Sequence, residues 1–281
     1  MNDAGRIANQ QYDGISLLCA IHHGSERVMK TCYFTATGNC LYVARRIGGD
    51  LLSIPQLMRQ DSIVIKDEAV GVVAPVYAVE MPMMVKAFLE RAKIETDYFF
   101  FVYTYGMGYA EAFTHVDVVA RAAGLELSYI DAIQMVDNYI PYFDMQEQID
   151  TLPQKDVEGQ VSRVVADIAA RKLQQVTVTQ QNLDEMDRWT RNHAAGILKK
   201  DTALSYTVND DCIRCGICAQ VCPADNIEVA DDGVRFSDRC EVCYACLHNC
   251  PKTAIHMPVE AGPVRFRNEH VTLADIIQAN A

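Results

Sequence analysis

Two features of the sequence predict an α/β protein followed by a smaller α+β unit. From Lys30 to about Leu173, short apolar or aromatic runs of strand length alternate with segments whose apolar residues recur at helical spacing. Such βα alternation builds a mostly parallel sheet, doubly wound so that helices cover both faces. Farther on, eight of the eleven cysteines form two copies of one pattern, Cys212-x-x-Cys215-x-x-Cys218-x-x-x-Cys222-Pro223 and Cys240-x-x-Cys243-x-x-Cys246-x-x-x-Cys250-Pro251. The copies lie 28 residues apart and Pro223–Ile227 matches Pro251–Ile255, which predicts an internally duplicated, pseudo-twofold unit. At 281 residues the chain has room for about two domains.

Taken in order, Thr31–Phe34 reads as a buried strand and Asn39–Ile47 as a helix with Leu41, Val43, Ala44 and Ile47 apolar. A strand follows at Ala69–Ala74, then a helix opened by Pro82 and running to Lys93. The aromatic run Tyr98–Thr104 is most simply a buried strand. A helix over Tyr109–Ala123 is closed by Gly124, and a strand spans Leu127–Ile133. Val157–Leu173 forms a helix with Val157, Val161, Val164, Val165, Ile168 and Leu173 on one face. Asn182-Leu183-Asp184-Glu185 has the form of a capping box that opens a helix to about Lys199. That helix is expected to dock the two domains and to bury the only tryptophan, Trp189. At the end, Thr272-Leu273-Ala274-Asp275 caps a last short helix.

The formal charge of −12 argues against nucleic acid, whose phosphates demand a basic surface. Between Asp210 and Glu260 nine acidic side chains stand against four basic ones, which points to a partner with a basic docking face. No run approaches the eighteen or so apolar residues of a membrane span. The apolar stretch Ile15–Ile21, flanked by Asp13 and His22-His23, fits a signal peptide poorly, so the expected location is cytoplasmic. Residues 1–28 differ in character from the rest of the chain and form an extension of uncertain status.

Cysteines at this spacing point to iron–sulfur chemistry. Three thiolates at intervals of three can wrap one cubane, while a fourth, sent off by a proline, reaches a neighbouring cluster. Structural zinc needs only four ligands, usually two Cys-x-x-Cys pairs set farther apart, and has no use for four cysteines within eleven residues. A disulfide framework is disfavoured, because nothing marks the chain as secreted. Cys19 and Cys32 have no partner at metal spacing, the pair His22-His23 reads as polar surface, and His248 reads as an exposed spacer.

Ligands of open parallel sheets bind beyond the carboxyl ends of the strands, where the strand order reverses. Three loops qualify. Thr35-Ala36-Thr37-Gly38-Asn39-Cys40 joins a strand to a helix N-terminus, and its hydroxyls and successive N–H groups suit a phosphate, with Gly38 allowing the tight turn. No lysine follows the glycine, so the nucleoside triphosphate pattern is absent. Pro75-Val76-Tyr77-Ala78-Val79-Glu80-Met81-Pro82 places an aromatic beside the same crevice, and Thr104-Tyr105-Gly106-Met107-Gly108-Tyr109 sets glycines between aromatics. Gly106-Met107-Gly108 mimics a nicotinamide fingerprint, but Glu111 stands where its third glycine belongs. Glu80, just before a helix, reads as a solvated acid.

With these loops in view, the upstream half resembles a flavodoxin, whose phosphate loop reads Thr/Ser-x-Thr-Gly-Asn-Thr/Ser. The whole from about Met29, including Asn138-Tyr139-Ile140-Pro141 and Arg265-Phe266-Arg267-Asn268, resembles the flavodoxin-domain-containing ferredoxins of anaerobic bacteria and archaea. That likeness implies a flavodoxin-like doubly wound parallel sheet at 29–180, a connecting helix at 181–205, a bacterial 2[4Fe–4S] ferredoxin domain at 206–258 and a tail at 259–281. It implies that Thr35, Thr37, Gly38, Asn39 and Cys40 hold the phosphate of FMN. Pro75, Val76, Tyr77 and Ala78 would border one face of the isoalloxazine, and Thr104, Tyr105, Gly106 and Gly108 its other side and edge. Crossed ligation is also implied, with Cys212, Cys215, Cys218 and Cys250 on one cluster and Cys240, Cys243, Cys246 and Cys222 on the other. Cys40 in place of a hydroxyl residue, and Glu80 where relatives often have glycine, depart from the flavodoxin pattern.

The expected function is electron transfer between two [4Fe–4S] clusters, FMN and redox partner proteins. One alternative is a flavin-dependent reductase of a small molecule or quinone fed by the clusters. Another is a ferredoxin whose flavodoxin-like domain has lost FMN and serves for docking.

Overall fold

The computed structural model describes residues 29–281. The readings placed on residues 1–28, with Cys19 and His22-His23, lie outside the described residues. The chain opens with β1 (Met29–Tyr33), α1 (Asn39–Ile47), β2 (Asp50–Ser53), α2 (Ile54–Met58), β3 (Val64–Lys66) and β4 (Ala69–Pro75). It continues through α3 (Met83–Arg91), β5 (Lys93–Glu95), β6 (Tyr98–Tyr105), α4 (Ala112–Ala122) and β7 (Leu127–Gln134). Five strands form one parallel sheet in the order β2-β1-β4-β6-β7. The chain therefore moves outward from β1 to β2, then crosses back to β4, and the order reverses between β1 and β4. This is the flavodoxin-like order, and ligands of such sheets bind at the reversal.

Residue type explains the strands. β4 and β6 are central, and their sequences AVGVVAP and YFFFVYTY are buried almost throughout, because helices cover both faces. The edge strand β2, two leucines between polar residues, adds to the elements expected from the sequence, as does the separate parallel pair β3·β5.

Beyond the sheet come α5 (Met145–Asp150), α6 (Val157–Ala169) and α7 (Gln180–Trp189). α6 stops short of the expected Leu173, because Arg171 takes a left-handed conformation. Gln174 then bonds to the free edge of β7, accepting from the Ile130 N–H at 3.1 Å and donating to the Ser128 carbonyl at 2.8 Å, and Leu173 is left exposed. α7 begins earlier than expected. Thr179 is its N-cap and Asn182 the reciprocal partner in the capping box, since Thr179 is the last residue with extended backbone. Trp189 is only half-buried, tilted over His193 at 4.4 Å. A π-turn over Thr190–Ala194 and the short α8 (Ala195–Ile197) follow.

The cysteine-rich stretch contains β8 (Thr207–Val208), α9 (Ile217–Gln220), β9 (Ile227–Ala230), β10 (Gly233–Phe236), α10 (Ala245–His248) and β11 (Ile255–His256). β8 pairs with β11, and β9 with β10, both antiparallel. The duplication extends to the backbone: Arg214 and Val242, Gly216 and Tyr244, Asp225 and Thr253 share positive φ at the 28-residue offset. A last helix, α11 (Leu273–Asn280), is capped by Thr272 with Asp275, as its sequence predicts.

Candidate functional site

At the strand reversal a cavity opens between the ends of β1, β4 and β6. Its wall includes Thr35, Thr37, Asn39 and Cys40 from the first predicted loop, Pro75, Val76 and Tyr77 from the second, and Thr104, Tyr105 and Gly106 from the third. Ala36, Val136, Asp137 and Asn138 complete it. The last three follow β7, and sequence reasoning did not assign them to the site. Their only signal in the sequence was the Asn138-Tyr139-Ile140-Pro141 stretch, which belongs to the family likeness.

Three predicted site residues do not line the cavity, each for a local reason. Gly38 has φ +100°, and a Cβ there would meet Val271 Cβ at 2.9 Å and Asn268 Cβ at 3.0 Å, so its bare side faces the C-terminal tail. Ala78 occupies, with Val79, a left-handed two-residue turn closed by mutual backbone bonds between Tyr77 and Glu80 at 2.8 and 2.9 Å. Gly108 lies beyond the rim among exposed residues.

The first loop is held from several sides. Thr35 Oγ1 accepts from the Gly38 N–H at 3.2 Å, and Thr37 Oγ1 accepts from Asn138 Nδ2 at 3.1 Å. Each hydroxyl hydrogen is thereby left to be donated elsewhere. Asn39 Nδ2 donates to the Val136 carbonyl at 3.2 Å, and Asn268 Nδ2 donates to Asn39 Oδ1 at 3.1 Å. Cys40 Sγ lies 3.2 Å from Thr104 Oγ1, joining the first loop to the third. Burial pushes that thiol up to about 12, so it stays neutral. Within α1, the N–H groups of the first turn have no intrahelical acceptor.

Tyr77 is buried on the cavity wall, and its hydroxyl has no hydrogen-bond partner among the described residues. An orphaned buried donor on a cavity wall fits a site built for a ligand. Asp137 is held by the N–H groups of Met107 and Tyr139, each at 3.1 Å, and burial raises its carboxyl above the ordinary range. Glu80 is not solvated as expected. Its carboxylate accepts from the Thr190 hydroxyl and lies 3.6 Å from His115 Nε2, which draws the segment after α7 onto the second loop.

The eight patterned cysteines separate into two groups. Cys212, Cys215, Cys218 and Cys250 line one cavity, and Cys222, Cys240, Cys243 and Cys246 line another. Among the described residues, no three Cys, His, Asp or Glu side chains stand close enough together to hold a single metal ion. Each set of four surrounds a space instead, a donor arrangement that suits a multi-iron cluster. Burial pushes Cys218 and Cys240 up to about 11 and raises Cys243 and Cys246 well above an ordinary thiol. Thiolates in these positions need cationic partners, which bound metal would supply. Backbone N–H groups already address the sulfurs, Asn226 to Cys222 and Ala254 to Cys250, both at 3.3 Å.

His248 is buried, not an exposed spacer. Its Nδ1 accepts from the Phe266 N–H at 3.0 Å, which fixes the hydrogen on Nε2, 2.9 Å from the Asn138 carbonyl. Burial drives its pKa down to about 4, and the ring is neutral. The second cysteine run is thereby fastened to the wall of the first cavity. Asn249 Nδ2 adds a bond to the Ala36 carbonyl at 3.2 Å.

Residues 206–228 match the family described as a 4Fe–4S binding domain. That match covers the first cysteine run, and the second repeats it at the 28-residue offset. A "Ferredoxin-like protein in nif region" from Trichormus variabilis is 32% identical over 69 residues, covering 24% of this chain and 60% of that protein. The corresponding protein of a Nostoc species is 28% identical over the same length. The chain thus spans about three fifths of the length of these curated relatives. Solved structures similar to the upstream half include a flavoprotein in complex with FMN from Lactobacillus acidophilus, at 12% identity and TM-score 0.28 over 45% of this chain and 99% of that one. A flavodoxin from Megasphaera elsdenii is 13% identical with TM-score 0.27, over 37% and 85%. At these scores the flavodoxin likeness rests on strand order rather than on superposition. Among the described residues, no helix is long and apolar enough to cross a membrane. The chain joins a flavodoxin-like parallel α/β domain to a ferredoxin-type 4Fe–4S-binding domain at its C-terminal side.

Proposed function

We propose that this protein is an electron carrier that holds two [4Fe–4S] clusters and one FMN and exchanges electrons with redox partner proteins. The observation that carries the reading is adjacency. Three loops converge on one cavity at the strand reversal, and the second cysteine run is bonded to that cavity's wall through His248 and Asn249. When bound, the clusters carry single electrons and the flavin accepts one or two.

Thr35, Thr37 and the first turn of α1 would hold the phosphate through hydroxyl and backbone N–H donors. Tyr77 and Tyr105 would border the ring. The cysteine grouping supports crossed ligation, Cys250 serving with the first run and Cys222 with the second. Cys40 weakens one donor position, but its bond to Thr104 keeps the loops in register. The domain limits proposed for the flavodoxin-like and ferredoxin units are 29–180 and 206–258, joined by 181–205. The acidic balance supports a partner with a basic docking face, although the charged residues lining the first cysteine cavity are Arg214 and Lys252.

Anaerobic purification followed by absorbance, acid-released flavin and iron assay tests the reading. About eight irons and one FMN per chain are expected for two cubanes and a single flavin site. Iron without flavin in protein reconstituted with FMN would leave the upstream domain as a docking module. Within the site, Gly38→Val should abolish FMN retention after dialysis, because a side chain at φ +100° also collides with Val271 and Asn268. Wild-type FMN content in that variant would remove the first loop from the site.

A further inference from the structure

The two cysteine groups share a spacing but not a setting. Cys222, Cys243 and Cys246 are between 6% and 9% exposed, whereas Cys215 is exposed and Ile213 beside it is 59% exposed. Cys243 and Ala245 belong to the same apolar core as Tyr77 and Cys40, which line the sheet-domain cavity. A second tie runs through the tail. Asn280 Nδ2 donates both to the Thr35 carbonyl, at 3.3 Å, and to the carbonyl of Val221, at 3.0 Å, the residue before Cys222. Neither cysteine cavity is lined by the sheet domain, but the walls of the second include Cys243 and Ala245, which pack into the sheet domain's core, while no residue lining the first does so.

Electron tunnelling falls off exponentially with the separation of the two centres, so packing decides which centre speaks to which. Resting on the cofactor reading above, we infer that the two groups serve opposite ends of one route. The Cys222, Cys240, Cys243 and Cys246 group exchanges electrons with the flavin cavity, and the Cys212, Cys215, Cys218 and Cys250 group exchanges them with an external one-electron carrier. In each pass one electron leaves the carrier, is held at the outer group, moves to the inner group and ends on the flavin. Each station is reoxidised as the next is reduced. Two passes, with protons drawn from solvent, complete a two-electron reduction, and the same stations run backwards discharge it. The chain then forms a wire with one mouth, at the Ile213 and Arg214 turn, and one store.

Stopped-flow and freeze-quench EPR on the anaerobic full-length protein test this, with a reduced plant-type [2Fe–2S] ferredoxin as the donor. In Cys243→Ser the remaining cluster signal should appear at the wild-type rate, while flavin bleaching slows on the order of tenfold or more. In Cys215→Ser reduction of the remaining cluster by the donor should slow by a similar factor. After photoreduction of the flavin in that variant, electrons should still equilibrate with that cluster as fast as in wild type. Unchanged flavin bleaching in Cys243→Ser overturns the route. Wild-type protein without flavin overturns the cofactor reading instead. A second measurement needs no variant. During slow oxidative breakdown in air, Cys212, Cys215 and Cys218 should become alkylated by iodoacetamide before Cys240, Cys243 and Cys246, as mapped by mass spectrometry. Simultaneous or reversed labelling overturns the assignment of inner and outer groups.

Discussion

The first and second cysteine runs are the same device written twice, and the structure leaves the opening turn of the first at the surface while it packs the second under the sheet domain. Aligned at the offset of 28, Ile213 answers to Glu241, Gly216 to Tyr244, Gln220 to His248 and Val221 to Asn249. The cysteines and their backbone turns are held in common, and every one of these spacers differs. In the second run the spacers are the contacts. Glu241 accepts from the Met84 N–H at 2.9 Å, Tyr244 lies against Tyr139 at 5.9 Å, and His248 and Asn249 reach the carbonyls of Asn138 and Ala36. Ligand spacing thus fixes which chemistry is possible, while spacer identity fixes where in the molecule it takes place.

The largest expected effect tests whether the two runs are independent. With the sulfurs grouped across the repeat, Cys222→Ala should lose the same cluster as Cys243→Ala, and Cys250→Ala the same as Cys215→Ala. Each variant should fall to about half the wild-type iron, and its EPR spectrum should match that of its pair member. Because metal binding and folding are coupled, the rest of the unit should loosen only secondarily. If Cys222→Ala instead matched Cys215→Ala, each run would ligate its own cluster.

Much of this was legible in the sequence, because the relevant signals are short-range. Ligand spacing, the Thr-x-Thr-Gly-Asn loop and the alternation of β4, β6 and their helices all lie within a few residues of one another. Three kinds of feature were not. Asp137 and Val136 reach the cavity only because β7 lies beside β6, which depends on strand order. His248 looked like a spacer because its partners, Asn138 and Phe266, are far off in the chain. The tail's hold on the first loop, through Asn268, Val271 and Asn280, is likewise tertiary, and it adds a second constraint at Gly38 to the positive φ of its turn. The tail occupies the space a side chain at Gly38 would need.

A middle-sized effect separates strain from packing at the second equivalent pair. Gly216 and Tyr244 both sit in the left-handed region, at φ 78° and 58°, where a non-glycine residue costs about 1–2 kcal/mol. Tyr244 carries that cost and offsets it by burying its ring in a cluster with Ile140, Tyr206 and Leu247. Gly216→Ala should therefore cost about 1 kcal/mol, since an added Cβ meets nothing closer than Gln220 Nε2 at 3.5 Å. Tyr244→Ala keeps the strain and loses the packing, costing roughly 3 kcal/mol. Anaerobic thermal unfolding of the loaded proteins should rank them in that order. An equal loss in both would mean that the packing of Tyr244 does no more than match the cost of its left-handed backbone.

The smallest effect concerns how the second run grips the sheet domain. α3 starts after Pro82 with no side-chain cap of its own, so its first-turn N–H groups need outside acceptors. Glu241 supplies one from 157 residues away, its carboxylate buried against the Met84 N–H and favoured by the helix dipole. Burial raises the carboxyl's pKa, and the bond to Met84 partly offsets this. Glu241→Gln keeps an acceptor oxygen and should cost less than about 1 kcal/mol, whereas Glu241→Ala leaves a half-buried N–H unpaired, at the low end of about 1–3 kcal/mol. Ile213→Gln, the equivalent change on the exposed run, should fall within about 0.5 kcal/mol of wild type. Amide hydrogen exchange at Met84 is the local readout. It should quicken in Glu241→Ala, stay near wild type in Glu241→Gln, and be untouched in Ile213→Gln. Slow exchange at Met84 in Glu241→Ala would show that the helix is capped by some other group, and that the grip of the second run rests on its other contacts, those of Tyr244, His248 and Asn249.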